Sequence, residues 1–322
     1  MRSVRWLGLL ALYVGAQTVG LLLAEPFRSA GLESTSSPGS PTGPLYIIAL
    51  IVLAPLVILF IARRQGGLAA LRQAILLGIA GALYITLYAT FAVLPLPVYL
   101  VPPYSAEIVL SLALPLAGAF SAALYLALQV EPQWWIVDLV GFLSAGALIA
   151  ILGISFGILP AFILLIALLV YDAIAVYWTK HMVSLADAVT DMKLPILLVM
   201  PDSAGYDYTR APRLKEQRAQ PVGERSALFM GLGDIVIPGT LVVSAFVWLP
   251  VAPSVLGIGA NLWVALGALV GSLVGYGVLM RLVLRGNPQA GLPLLNGGAL
   301  LGYAVFYLLL FRSATLGLTG GL

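Results

Sequence analysis

Cysteine is absent from the 322 residues, and histidine occurs once, at position 181. The first absence excludes disulfides, thiolate nucleophiles and cysteine-bound metals. The second excludes a metalloprotease of the His-Glu-x-x-His kind, which needs two imidazoles on one helix face. It also argues against a buried serine–histidine pair, because His181 adjoins Lys180 at the edge of an apolar run. Charge is scarce too: charged residues make up 9% of the chain and hydrophobic ones 61%, where a soluble domain carries about 25% charge. So few polar groups cannot build a water-facing surface, and the chain belongs in lipid. Carboxylates are the strong acid and base groups left for chemistry inside it.

Long apolar runs are what the sequence has in abundance. Crossing a hydrocarbon core of ~30 Å takes about 20 helical residues. Nine runs qualify between charged and Pro/Gly punctuation: Trp6 to Ala24, Leu45 to Ala62, Leu71 to Leu94, Ala106 to Leu128, Trp134 to Ile154, Leu159 to Thr179, Ser226 to Leu249, Leu262 to Leu284 and Leu292 to Phe311. The fold expected is an all-α membrane bundle of nine transmembrane helices. It forms one membrane domain over 1–322, with six spans in 1–180, a cytoplasmic loop over 181–224 and three spans in 225–322.

Arg2 and Arg5 precede the first run as in a signal peptide, but its apolar core is long and Leu22 breaks the small-x-small cleavage pattern before Glu25. It reads as a retained anchor. With the N-terminus cytoplasmic, fourteen of the sixteen Lys and Arg residues fall on the inner face, leaving Arg28 and Arg312 outside. That is the asymmetry the positive-inside rule requires. Arginine outnumbers lysine thirteen to three, which points to a GC-rich prokaryotic genome and hence a cell membrane. The stretch from Glu25 to Gly43 reads as an outer loop. The inner loop from His181 to Glu224 holds a β-prone run, Ile196 to Met200, between Pro195 and Pro201. That loop is either a solvated connector or a gate beside the site.

Acids inside spans are costly, at roughly 2.5 to 3.5 kcal/mol for a central Asp, and mark function by default. Asp138, Asp172 and Asp234 qualify. Asp172 lies eight residues before Lys180 on a helix running inward, and Asp234 nine after Arg225 on one running outward. At ~1.5 Å per residue these offsets are about 12 and 13 Å, so the two carboxylates share a depth. Facing each other, they hold one proton between them. The ionised member acts as base on a water, while the protonated one donates to a scissile carbonyl.

The flanking residues sharpen this reading. Tyr171 precedes Asp172, and Gly231-Leu232-Gly233 precedes Asp234. Glycines there clear side chains from the approach to the carboxylate. Pro293-Leu294-Leu295 opens the ninth span eight residues after Arg285, again about 12 Å deep if helical throughout. Pro293 removes a backbone donor, and irregular backbone at membrane depth is tolerated where it lines a cavity. With 34 glycines, a chance Gly-x-Gly-Asp is expected in roughly one such chain in ten or fifteen, and Tyr-Asp recurs at Tyr206-Asp207. Both motifs inside spans, at one depth with Pro293, are far rarer.

Tyr-Asp, Gly-x-Gly-Asp and Pro-x-Leu in this order resemble the presenilin and signal peptide peptidase family, and its archaeal members most. The likeness runs through nearly the whole chain in span number, motif order and loop position. It implies that Asp172 and Asp234 are the catalytic pair. Pro293, Leu294 and Leu295 match the family's Pro-Ala-Leu motif, which shapes the site, with Leu294 in place of the usual Ala. It implies transmembrane-helix peptides as substrates, unwound and paired as strands to enzyme edges such as Ile196 to Met200 and the stretch before Gly231. It implies no cofactor, no metal, no nucleic-acid partner and no obligatory subunit, since the loop is shorter than a presenilin's.

Two other functions fit part of this pattern. A prepilin-type peptidase uses Gly-x-Gly-Asp, but its motif continues toward lysine, whereas Ile235 and Val236 follow here. A proton-coupled transporter or ion conduit also uses buried acids, yet no inverted repeat of the spans is evident. Asp138, with no motif around it, reads as structural. His181 reads as interfacial, Trp134 and Trp135 as interfacial anchors, and Gly267, Gly271 and Gly275 as a helix-packing ridge.

Overall fold

A computed structural model of the chain describes residues 2–34, 37–62, 67–93, 106–178, 194–203, 205–208, 225–285 and 289–318. Lys180, His181 and most of the 181–224 loop lie outside them. Nine helices occur among the described residues: α1 (Arg2–Ser29), α2 (Thr42–Ala62), α3 (Gly67–Val93), α4 (Ala106–Val130), α5 (Trp134–Ser155), α6 (Ile158–Ala173), α7 (Gly233–Trp248), α8 (Ala260–Val283) and α9 (Leu292–Phe311). Seven are long and apolar enough to cross a membrane, and the Thr42–Ala54 part of α2 and all of α7 are shorter apolar helices. Leu7, Leu22, Phe120, Leu148, Val274 and Leu301 stand exposed on them, as suits a bundle whose outside meets lipid. α1 continues to Ser29, so the expected outer loop starts later than Glu25.

The seventh span differs from its expected course. Residues 226–232, read as helix, are instead strand and turn: β1 (Leu197–Pro201) pairs antiparallel with β2 (Ala227–Gly231), with Leu197 opposite Gly231 and Pro201 opposite Ala227. Two glycines in three positions weaken a helix here, and the β-prone run between Pro195 and Pro201 supplies a partner. The path from Arg225 is therefore extended, and the depth once reckoned at helical rise does not apply. α7 has 16 residues, about 24 Å of helix against a ~30 Å core, so it falls short of that thickness by itself.

The Leu232 N–H donates to the Ile196 carbonyl (3.1 Å), and the Asp202 N–H to the Ser226 carbonyl (2.9 Å). Antiparallel alternation then turns the even-numbered residues toward the partner strand and the odd-numbered ones away. Leu198, Leu228 and Met230 pack on one face with Leu9, Tyr13 and Ile149. Val199 and Ala227 pack on the other with Ile136, Val137 and Tyr208.

α7 lies at the centre, touching α1, α5, α6, α8 and α9. Every residue from Ile235 to Ala245 is buried, the mark of a helix apolar all round and packed on all sides. The expected packing ridge is present on α8. A β carbon on Gly271 would collide with the Gly298 carbonyl, and one on Gly275 with the Leu294 carbonyl. The α8 and α9 backbones thus touch, as small-residue interfaces allow, and this contact sets the height of Pro293-Leu294-Leu295.

Candidate active site

The two acids come together at Gly291 and Leu292. Asp172, 6% exposed near the end of α6, accepts a hydrogen bond on Oδ2 from the Leu292 N–H at 3.1 Å. The Gly291 amide lies within reach of the same carboxylate. Asp234 stands in the first turn of α7, across the same backbone: a β carbon on Gly291 would lie 2.9 Å from its Oδ1 and 3.0 Å from its Oδ2. The charge of Asp172 acts on Asp234. Two carboxylates from neighbouring helices therefore flank one dipeptide, immediately before Pro293.

The remaining motif residues arrange around them. Gly231 ends β2, and its Cα direction points at Asp234, 3.5 Å from Oδ2 for a β carbon placed there. Gly233 is exposed and faces open space, so bare backbone borders the carboxylate as expected. Leu232 is buried, its amide bonded to Ile196 and its side chain against Gly141; it anchors the turn rather than lining an opening. Pro293 falls in the first turn of α9, where a missing N–H leaves no orphan. Leu294 and Leu295 both donate to the Gly291 carbonyl at 3.1 Å. Leu295 is fully buried, and Leu294 packs partly buried beside the α1–α5–α7 core. Tyr171 is partly buried among Leu168, Leu292 and neighbouring apolar residues.

Four features escaped the sequence reading. Gly291 stands where any side chain would press on Asp234. Residues Ile174–Trp178 continue α6 as a π-helical turn directly after the Tyr-Asp pair, a widening that often marks functional positions. The Tyr177 hydroxyl on that turn donates to Gln289 Oε1 (3.1 Å) and accepts from the Ala290 N–H (3.4 Å), tying α6 to the segment that leads into Gly291. Asn296 Nδ2 donates to the Leu165 carbonyl at 3.0 Å and fastens α9 to α6 two turns above Asp172. A readable signal existed for a further one: Pro238, four residues after Asp234, has no N–H for the Asp234 carbonyl.

Asp138 is not part of this group. It is buried on α5, and its Oδ1 accepts from the Val199 N–H of β1 at 2.7 Å.

A helical membrane bundle in which an acid pair from two adjacent helices flanks a Gly-Leu-Pro turn has the elements of an aspartyl hydrolase working inside the membrane. The chain belongs to the signal-peptide peptidase and presenilin aspartyl protease family, whose model matches residues 10–312. It is similar to a crystallised presenilin family intramembrane aspartate protease in space group C222, with 32% identity over 94% of this chain and 99% of that one, at a TM-score of 0.61. A presenilin family intramembrane aspartate protease in space group P2 gives 34% identity over 94% of this chain and 97% of that one, at a TM-score of 0.60. No curated protein matches.

Proposed function

We propose that this protein is an intramembrane aspartyl endopeptidase that hydrolyses peptide bonds within transmembrane segments, with Asp172 and Asp234 as its catalytic pair. The observation that carries the reading is the convergence of both carboxylates on Gly291 and Leu292. One acid, ionised, takes a proton from water as the water attacks the scissile carbonyl, and the other, protonated, donates to the carbonyl oxygen. The roles then exchange, so that the leaving amine departs protonated. The Leu292 and Gly291 amides hold Asp172 from the α9 side, and its remaining acceptor capacity is left for water or substrate. The carboxylates are reached past Gly231 and Gly233, where no side chain intervenes.

The substrate on this reading is a membrane-spanning helix, unwound near the cut. Its strand adds to β2, whose odd-numbered groups at Phe229 and Gly231 point away from β1 and meet no partner among the described residues. Strand addition uses main-chain hydrogen bonds and leaves the side chains for local pockets. Pro293, Leu294 and Leu295, held by Gly291 and the α8 ridge, form the opposite wall, and Tyr171 and Leu232 support the two acids. The membrane domain works in a prokaryotic cell membrane with its N-terminus cytoplasmic, and without an obligatory subunit.

The test is cleavage of a model transmembrane substrate by purified protein in liposomes. Asp172→Asn and Asp234→Asn each reduce the rate by about 10²–10⁴-fold, the range for removing a general acid or base. A proton flux that falls in the same variants, with no peptide cut by the unaltered protein, would instead identify a conduit.

A further inference from the structure

We propose that Asp138 is a positioning residue for substrate recognition: it caps the back edge of β1, so that β2 is left as the edge to which a substrate strand adds. The inference rests on the protease reading and goes beyond it to an acid outside the catalytic pair.

Asp138 is 5% exposed, and its Oδ1 takes the Val199 N–H at 2.7 Å. Val199 is one of three β1 residues, with Leu197 and Pro201, whose main-chain groups face away from β2. Pro201 has no N–H, Val199 at the middle of the strand gives its own to the carboxyl group, and Leu197 at the strand end keeps an outward N–H. One turn along α5, Gly141 brings the helix against the same strand: a β carbon there would lie 3.0 Å from Leu198 Cδ2 and 3.4 Å from the Pro195 carbonyl. The α5 face bearing Asp138 and Gly141 is therefore fitted along the β1 edge.

The surroundings exclude the usual reasons for a buried acid. Ile136, Val137, Val140, Leu194 and Val199 form the apolar cluster around it, and Tyr208 lies within its electrostatic reach. No cationic side chain pairs with it among the described residues. Its hydrogen-bond partner is a backbone amide 61 residues away. A sheet edge presenting unpaired N–H groups recruits strands without discrimination. Closing β1 while β2 stays open turns a two-edged hairpin into a one-sided receptor, and β2 is the strand that runs into Gly231 and Asp234. A substrate seated there has one register relative to the acids, hence one cut. Without the carboxyl group the buried Val199 N–H lies unpaired under α5, the hairpin shifts to satisfy it, and the bond that β2 presents to Asp172 and Asp234 varies.

The experiment pairs mass spectrometry of the cleavage products with amide hydrogen exchange of residues 196–201. Asp138→Leu is expected to speed Val199 exchange at least tenfold, to raise KM about tenfold with a smaller change in kcat, and to spread cleavage from one dominant bond to several. Asp138→Asn, which keeps a carbonyl acceptor, restores the protection and the single cut. Val199→Pro removes the same bond from the strand side without touching a bond to β2, and is expected to reproduce the leucine variant, so a folding failure of either is covered by the other. Slow Val199 exchange in Asp138→Leu, an unchanged single cut, or an Asn variant as disturbed as the Leu variant would each overturn the proposal. If the unaltered protein cuts nothing, the protease reading fails, and the exchange arm still judges the cap.

Discussion

The Leu292 N–H donates to Asp172 Oδ2 across 120 residues of chain, at 3.1 Å. The donor lies one residue before Pro293, in the first turn of α9, where an amide has no helical acceptor of its own. α9 thus spends a spare donor on the acid of α6, and the glycine before it leaves room for the acid of α7. Proline next in line preserves that opening by pre-setting the helical start.

Gly291→Ala tests the space between the acids. A methyl group would sit 2.9–3.0 Å from the Asp234 carboxylate, which supplies its three nearest atoms. Crowding of this kind costs about 1–3 kcal/mol, directed at the orientation of Asp234. Expected are a fall in kcat of about 10–100-fold and a melting temperature lowered by no more than that crowding cost implies. A variant that cleaves at the parental rate would show that Asp234 has slack to move.

Phe229→Pro tests the receiving edge. Phe229 points its N–H away from β1, so proline deletes no bond of the hairpin while removing a donor from the substrate. The expected result is a KM raised about tenfold; Phe229→Ala, which loses the ring but keeps the N–H, separates the side chain from the amide. Met230→Pro removes a bond to Leu198 instead and should loosen the hairpin itself, seen as faster exchange of residues 197–201. Equal KM values for Phe229→Pro and Phe229→Ala would place the incoming strand elsewhere.

Gly275→Ala tests the α8–α9 contact. The added carbon would meet the Leu294 carbonyl, Leu294 C at 2.8 Å and Leu295 Cα at 3.3 Å, all of it backbone that cannot rotate aside. α9 must shift, carrying Leu292 away from Asp172. Both thermal stability and kcat should fall, the former by about 1–3 kcal/mol. Gly277→Ala on the same helix, where a β carbon meets nothing within 4 Å, is the control expected to leave both in place.

Helix positions were largely legible because composition alone dictates apolar runs of membrane length. The ninth span falls at Leu292–Phe311 as read, and α5 ends one residue from its expected limit. The helical assignment of 226–232 failed for a physical reason: a short apolar run has no periodicity that separates strand from helix, and only the family resemblance pointed to an edge before Gly231, where β2 pairs with β1. The convergence of Asp172, Asp234 and the Pro293 segment was anticipated, yet by way of a helical path from Arg225 that does not exist. Gly291 went unread and Asp138 was read as structural without its partner, and both omissions share a cause. One acts through the absence of a side chain beside Asp234, the other through a backbone amide in a distant strand, and neither relation leaves a spacing to read.

Where α8 and α9 meet carbonyl to α carbon, no layer of side chains remains to act as a bearing. Sliding or rolling of one past the other is blocked, and the pair must travel as a single lever. On the protease reading, the give that admits a helix-sized guest falls to the α6–α9 seam, whose polar links among the described residues include Asp172 to Leu292, Tyr177 to Gln289 and Ala290, and Asn296 to Leu165. Each of these can break and reform singly, whereas the glycine weld cannot open by degrees.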